Sequence, residues 1–161
     1  SGPFSRQNHG MTVSGRLETG PLSPADRPDW EALARGYKAF YETDVSDAGY
    51  AEAWRRLLAR DGVHGVGARA HGRLVGIAHY LFHTSTWARN VCYLQDLFVA
   101  PEKRGQGIAR ALIEAVADAA RAKGAERYYW LTQEQNAVAR ALYDKVGQYH
   151  GFIRYDYPLL K

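Results

Sequence analysis

The stretch YLQDLFVAPEKRGQGIARA, residues Tyr93 to Ala111, decides the fold predicted for this chain. The first part of this stretch belongs to a run of β-branched, aromatic and leucine residues at 91–99, which predicts a strand that ends before Pro101. From Ile108 onward, apolar residues recur at i, i+3, i+4, i+7 and i+8, the period of an amphipathic helix. The stretch therefore predicts a strand, a glycine turn at 105–107, and a helix.

The predicted turn between the strand and the helix suits a phosphate group. A helix N-terminus presents N–H groups without intrahelical partners and carries partial positive charge. Gly105 and Gly107 would let a ligand approach the main chain closely, although two such glycines can also form a simple tight turn. A Rossmann fingerprint is excluded because Arg110 stands where its third glycine would be, and a P-loop would need Gly-Lys-Ser/Thr.

The loop sequence RGQGIA, residues 104–109, resembles the Arg/Gln-x-x-Gly-x-Gly/Ala signature of the GNAT family of N-acetyltransferases. The likeness continues through Leu97-Phe98-Val99 upstream and through Asn136 and Ala141-Leu142-Tyr143 downstream, over about residues 74–158. It implies an α/β fold with a mixed central sheet of about six to seven strands flanked by about four helices. It also implies acetyl-CoA as cofactor, with its pyrophosphate in the 104–109 loop.

Two segments resemble one branch of that family, which includes the yeast histone and D-amino-acid acetyltransferases and their bacterial relatives. These segments are YLQDLFV at 93–99 and GFIRYDYPL at 151–159. Polyamine acetyltransferases are a more distant likeness. Because members of both groups commonly pair, the resemblance implies a homodimer.

The resemblance also implies which residues bind the cofactor. Asn136 would hydrogen-bond the pantetheine arm, and Tyr143 would protonate the departing thiolate. From the residues alone, Asn136 could equally be a helix N-cap and Tyr143 a half-buried core aromatic. The implied cofactor-binding residues are Leu97, Phe98, Val99, Arg104, Gly105, Gln106, Gly107, Ile108, Ala109, Asn136 and Tyr143.

A direct transfer to an amine needs a proton acceptor, because an alkylammonium is mostly protonated at neutral pH. In polyamine acetyltransferases a glutamate of the central strand can act as the base, and Gln95 occupies its position here. Asp96 is adjacent, but strict alternation places it with Leu94 and Phe98, on the face opposite Gln95, unless a bulge re-aims it. Asp96 and ordered water are therefore the candidates for the base.

Other residues are candidates for the acceptor site. Tyr41 stands beside Glu42 and Asp44 in a loop between two predicted helices, where an aromatic ring and carboxylates would suit a cationic amine. A solvated helix end explains the same residues. His79 and His83 are further pocket candidates, and the loop 84–90, with Trp87 and Arg89, could border the same site.

Hydrophobic periodicity and turn residues predict the remaining elements. In the last predicted helix, Val138, Ala141, Leu142 and Val146 form the expected buried stripe. The predicted elements are a strand at 12–18 ended by Gly20 and Pro21, a helix that starts at Ser23-Pro24, a helix at 47–59, strands at 63–70 and 73–82 joined by His71-Gly72, a strand at 126–132, a helix at 136–146, and a final strand or hairpin at 147–160.

Length and composition favour one soluble domain. The chain has 161 residues, of which 46% are hydrophobic, and its net charge of +4 is too small and scattered to indicate nucleic acid binding. Cys92 is the only cysteine, which excludes an internal disulfide, and no metal-ligand spacing occurs. Its place in an apolar strand predicts a small buried hydrophobe and not a nucleophile. With no predicted membrane span or signal peptide, we expect a cytoplasmic protein. Residues 1–10 are interpreted as a remnant of an expression vector, and 11–161 as a single N-acetyltransferase domain.

These observations predict an acetyl-CoA-dependent N-acetyltransferase that acts on a primary amine of a small molecule, such as an amino acid, a diamine or a polyamine-like compound. No nucleic acid or membrane partner is expected. The alternatives are a lysine acetyltransferase for histone tails or other proteins, and a non-catalytic acyl-CoA-binding module.

Overall fold

The computed structural model describes residues 16–160, which form two compact units divided between Trp130 and Leu131. The first unit contains a five-stranded sheet and three helices, and the second contains one helix. Short 3₁₀ turns lie at Pro24–Asp26 and Pro101–Lys103. The elements are β1 (Glu18–Pro21), α1 (Arg27–Phe40), α2 (Asp47–Ala59), β2 (His64–Ala70), β3 (Arg73–His83), β4 (Val91–Val99), α3 (Ile108–Ala122), β5 (Arg127–Trp130) and α4 (Ala137–Val146).

The strands lie in the sheet in their chain order, β1-β2-β3-β4-β5. The first three pairs are antiparallel, while β4 and β5 are parallel because α3 carries the chain back between them. His71 and Gly72, with φ of 51° and 75°, form the two-residue turn between β2 and β3. The predicted mixed α/β class is therefore confirmed.

One face of the sheet packs against α1 and α2. Trp30 and Trp54, whose ring centroids are 5.0 Å apart, lie at the centre of this core and are almost fully buried. Ile77 of β3 and Phe98 of β4 join the same cluster. Helix α1 is thereby fixed over the middle of β4, which is where the candidate site lies.

The other face packs against α3. A Cβ added at Gly76 of β3 would come within 2.9 Å of Ile108 and 3.0 Å of Leu112, so the helix lies directly on the strand backbone. Leu112 and Val116 are completely buried there. This packing fixes the N-terminus of α3 close to the end of β4.

Most element bounds lie within one residue of the sequence prediction, and α2 and β4 match it at both ends. The first strand does not, because Gly20 and Pro21 belong to β1 instead of ending it. Since β1 is an edge strand, it can contain a proline where the missing N–H would face away from β2. The start of that predicted strand, 12–15, and the expected vector remnant, 1–10, lie outside the described residues.

The predicted final strand or hairpin at 147–160 is wrong, as is the count of six to seven strands. These residues have no regular structure, and the sheet has five strands among the described residues. An apolar alternating sequence becomes a strand only where its backbone N–H and C=O groups pair with a neighbour. Six large apolar side chains in this segment are more than two-thirds exposed: Phe152, Ile153, Tyr155, Tyr157, Leu159 and Leu160.

The predicted buried stripe of α4 is also partly wrong. Val138 is 88% exposed and Ala141 is exposed. The half-buried side includes Leu142, Tyr143 and Val146. Apolar residues lie on more than one side of this short helix, so periodicity alone did not determine which side is covered.

Every helix within residues 16–160 is too short or too polar to cross a lipid bilayer.

Candidate active site

Strand β4 contains a bulge at Gln95. On β3, His79 pairs with Asp96 and Tyr80 pairs with Leu94, so Gln95 has no partner on that strand. Such an extra residue reverses the alternation of side chains on either side of it. The predicted strict alternation is therefore wrong: Tyr93 lies close enough to Tyr37 of α1 to contribute to raising its pKa.

The bulge also marks the place where β4 and β5 part. Their parallel pairing runs from Val91 opposite Arg127 to Leu94 opposite Trp130 and ends there. Beyond it, residues 96–99 of β4 pair only with β3 among the described strands. The backbone along this edge can pair with an extended ligand, as it would with another strand.

The glycine turn after β4 has the geometry of an anion site. Gly105 and Gly107 both have φ of +79°, a region that strains other residues, and no atom lies within 4 Å of a Cβ built on either. Gly107 is the N-cap of α3, whose first N–H groups lack intrahelical partners. The open backbone and the helix dipole therefore fit a diphosphate, and Arg104, with its guanidinium 5.5 Å from the Phe98 ring, adds positive charge nearby.

Asp96 belongs to a chain of hydrogen bonds beneath α1. Nδ1 of His79 lies 2.9 Å from Oδ2 of Asp96. On the other side of the imidazole, Nε1–H of Trp30 donates to Nε2 of His79, also at 2.9 Å. Because Nε2 accepts, the imidazole proton lies on Nδ1 and is donated to Asp96.

The Asp96 carboxyl is ionised although it is largely covered. Burial raises the pKa of Asp96, but the hydrogen bond and electrostatic interaction with His79, the hydrogen bond from Tyr37 and the charge of Lys38 together outweigh burial, so the pKa lies below its ordinary value. The side chain remains 26% exposed. This site therefore offers a fixed negative charge that a small molecule can reach.

Tyrosines surround this carboxylate. The Tyr37 and Tyr41 rings are 4.9 Å apart, and the pKa of each is raised by burial and then by the negative charge of Asp96. Tyr93 stacks on Tyr129 at 4.9 Å with an interplanar angle of 8°. The Tyr37 and Tyr41 phenols stay neutral at physiological pH, and their rings offer electron-rich faces next to Asp96.

Only some of the acceptor residues predicted from sequence lie near Asp96. Tyr41 does, whereas Glu42 and Asp44 are exposed on the loop that follows α1, and Trp87 is 91% exposed.

His79 contacts Asp96 directly, and Nε2 of His83 lies 3.0 Å from the Tyr129 hydroxyl. Sequence reasoning missed Trp30 and Tyr37. Trp30 is 49 residues from His79 in the sequence. Its helical spacing with other apolar residues indicated only that it packs in the core.

Cys92 is fully buried in β4, as its apolar surroundings predicted. Burial raises the pKa of its thiol to about 11, so it is not a nucleophile at neutral pH.

A separate cleft of about 370 Å³ lies between β1, β2 and α3. Its walls include Arg60, His64, Tyr80 and Asp118. Neither Asp96 nor the glycine turn lines this cleft, so it is not part of the site described above.

In the second unit, Asn136 is the N-cap of α4. Its Oδ1 accepts from the backbone N–H of Ala139 at 3.4 Å, and its Nδ2 donates to Oγ1 of Thr132 at 3.4 Å. The N-cap interpretation is confirmed. Tyr143 is half-buried on the same helix.

Comparison with known proteins identifies the class. The sequence profile of the Acetyltransferase (GNAT) family matches residues 30–148. The structure of AAC(6')-Iy in complex with the bisubstrate analog CoA-S-monomethyl-acetylneamine has the same fold, with a TM-score of 0.77 at 19% identity over 89% of this chain and 97% of that one. The chain belongs to the GNAT family of acetyltransferases.

Two curated relatives place it within that family. The D-amino-acid N-acetyltransferase HPA3 of Saccharomyces cerevisiae is 32% identical over 148 residues, 89% of this chain and 91% of the yeast protein. A thialysine N-epsilon-acetyltransferase of Caenorhabditis elegans is 34% identical over 96 residues, 60% of each chain. The predicted branch is confirmed, and the protein is an acetyl-CoA-dependent N-acetyltransferase.

Proposed function

We propose that this enzyme acetylates the primary amine of a small molecule, such as an amino acid, a diamine or a polyamine-like compound. The observation that carries the proposal is the ionised Asp96 carboxylate, held among neutral tyrosines beside the bulge of β4. A single carboxylate with aromatic walls suits one ammonium group on a small apolar body. The names of the yeast and nematode relatives, which specify amino-acid acceptors, agree with this acceptor class.

Asp96 binds the acceptor as an ammonium ion in this proposal. Its lowered pKa favours the charged form needed for binding but makes it a weak proton acceptor. Of the two candidates for the base, water thus carries the proton away, while Asp96 holds the nitrogen in place.

The cofactor supplies the acetyl group as an activated thioester. Residues 104–109 bind its diphosphate through the backbone and the positive end of α3. The free edge of Leu97, Phe98 and Val99 pairs with its pantetheine arm. A backbone N–H near Leu97 or Phe98 stabilises the oxyanion.

Tyr143 donates the proton that the departing thiolate needs, and Asn136 hydrogen-bonds the pantetheine arm. Both roles rest on the family resemblance. The family profile spans both compact units, since it covers residues 30–148, which supports treating 11–161 as one domain.

A homodimer and a cytoplasmic location complete the proposal. The exposed apolar segment 152–160 offers a surface for a second copy. Cys92, the only cysteine, is a free thiol, which suits a reducing compartment.

The test is thiol release from acetyl-CoA with amino acids of both hands, diamines, polyamines, aminoglycosides and a histone-tail peptide. We expect turnover with a small amine, and Asp96→Asn should raise its KM roughly tenfold or more while coenzyme A binding is retained. Asp118→Asn, a change at an exposed position in α3, is the matched control. Turnover of the peptide alone would indicate a protein acetyltransferase, and cofactor binding without any turnover would indicate a binding module.

A further inference from the structure

The indole of Trp30 is buried against His79. Trp30 is 1% exposed, and the His79 side chain is 13% exposed. Water therefore has little access to the 2.9 Å hydrogen bond between Nε1 of Trp30 and Nε2 of His79.

This hydrogen bond admits one state of the imidazole. An indole N–H only donates, so Nε2 of His79 must carry a lone pair. A proton at Nε2 would place two N–H groups face to face in a buried site, which costs the hydrogen bond and leaves a donor unsatisfied. The single imidazole proton then lies on Nδ1, which is 2.9 Å from Oδ2 of Asp96.

We propose that Trp30 and His79 are positioning residues: Trp30 fixes His79 as the neutral Nδ1–H tautomer, and that N–H orients the Asp96 carboxylate toward the acceptor amine. The inference rests on the proposed function of Asp96 and extends it to two residues that need not touch the substrate. Specificity for a cationic amine then depends on a tryptophan in the hydrophobic core.

The pKa of Asp96 depends on the charged and titratable groups around it. His79 of β3 and Tyr37 of α1 donate hydrogen bonds to it, and His79 and Lys38 also act on it electrostatically. The negative charge of Asp96 in turn raises the pKa of Tyr41, which follows α1. Burial opposes all the lowering effects by raising the pKa of Asp96. Removing the His79 donor should therefore raise that pKa, and the fall in kcat/KM on acidification should begin at a higher pH.

The first variants remove one donor each. His79→Leu should raise the KM for the amine roughly tenfold to a hundredfold, as expected for a lost hydrogen bond to a charged group, with a much smaller change in kcat. Trp30→Phe should raise KM roughly twofold to tenfold, because the ring of His79 can then exchange tautomers.

Two further variants separate positioning from packing. His79→Asn places an amide N–H near the position of Nδ1 and should restore most of the affinity lost in His79→Leu. Trp54→Phe removes the same volume from the ring that packs on Trp30, at 5.0 Å, without touching His79, and should leave KM and its pH dependence as in the wild type. A shift in Trp54→Phe as large as in Trp30→Phe would overturn the proposal.

Nitrogen-15 NMR of the imidazole and carbon-13 NMR of the Asp96 carboxyl give readouts that do not depend on activity. At neutral pH we expect a protonated Nδ1 and a bare Nε2 at His79, with the resonances assigned by their loss in His79→Asn. A proton on Nε2, or an Asp96 titration unchanged in His79→Leu, would overturn the inference. If the wild type acetylates no amine, the proposed function fails. The two spectra still decide whether Trp30 and His79 determine the ionisation of Asp96.

Discussion

Tyr143 is the residue whose proposed role depends most on a single atom, its hydroxyl oxygen. We predict that Tyr143→Phe lowers kcat roughly a hundredfold or more, the usual contribution of a general acid, while coenzyme A affinity changes little. Steady-state kinetics and calorimetry measure the two quantities. Tyr149→Phe, a change at a 64% exposed tyrosine of the same unit, is the control. Unchanged turnover in Tyr143→Phe would remove Tyr143 as the acid.

Individual residues were predictable where the sequence around them was informative. Cys92 lies in an apolar run, and its burial followed from that run. Asp96 was identified as a candidate, but its surroundings were not, because Trp30 and His79 meet only through the packing of α1 on the sheet. Single-sequence patterns carry no information on such distant pairs.

Among the elements, α3 offers a matched pair of glycines for testing the anion site. Gly107 at its start and Gly124 beyond its end have φ of +79° and +67°, and a Cβ on either would meet no atom within 4 Å. Alanine at either position should cost about 1 kcal/mol of stability through backbone strain.

Only the first substitution should affect the cofactor. We predict that Gly107→Ala weakens coenzyme A binding well beyond Gly124→Ala at equal loss of thermal stability, because its methyl group would occupy the approach to the backbone. Calorimetric titration of both variants measures this. Equal affinities would place the diphosphate elsewhere.

Element bounds were predictable where periodicity and end signals agreed. Helix α2 has Ser46 as its cap and β4 is stopped by Pro101, and both were predicted at full length. Strict alternation was predicted and the bulge at Gln95 was named only as an exception, because nothing in the residue types marks an extra residue in a strand. The absence of the predicted final strand could not be foreseen either, because a strand forms only by pairing with a second segment, and the sequence of one segment does not show that pairing.

At the scale of the whole molecule, we predict a dimer held by the segment 152–160. Its exposed apolar side chains resemble an interface core more than a free surface. The double variant Phe152→Lys with Tyr155→Lys should be monomeric in sedimentation analysis, whereas the wild type should be dimeric. Trp87→Lys, which alters an equally exposed aromatic residue in the first unit, is the control and should stay dimeric. A monomeric wild type at micromolar concentration would contradict the prediction.

The bulge in β4 has a consequence for how this site tolerates change. A chain one residue shorter at position 95 could pair β3 with β4 without interruption, and Tyr93 would stay on the face of Asp96 and Phe98. With all nine residues of β4 present, the bulge is what keeps Tyr93 on that face, because an uninterrupted pairing backward from Asp96 would turn Tyr93 and Leu94 over. The acceptor site therefore depends on where the strand holds its extra residue as well as on which residues it contains.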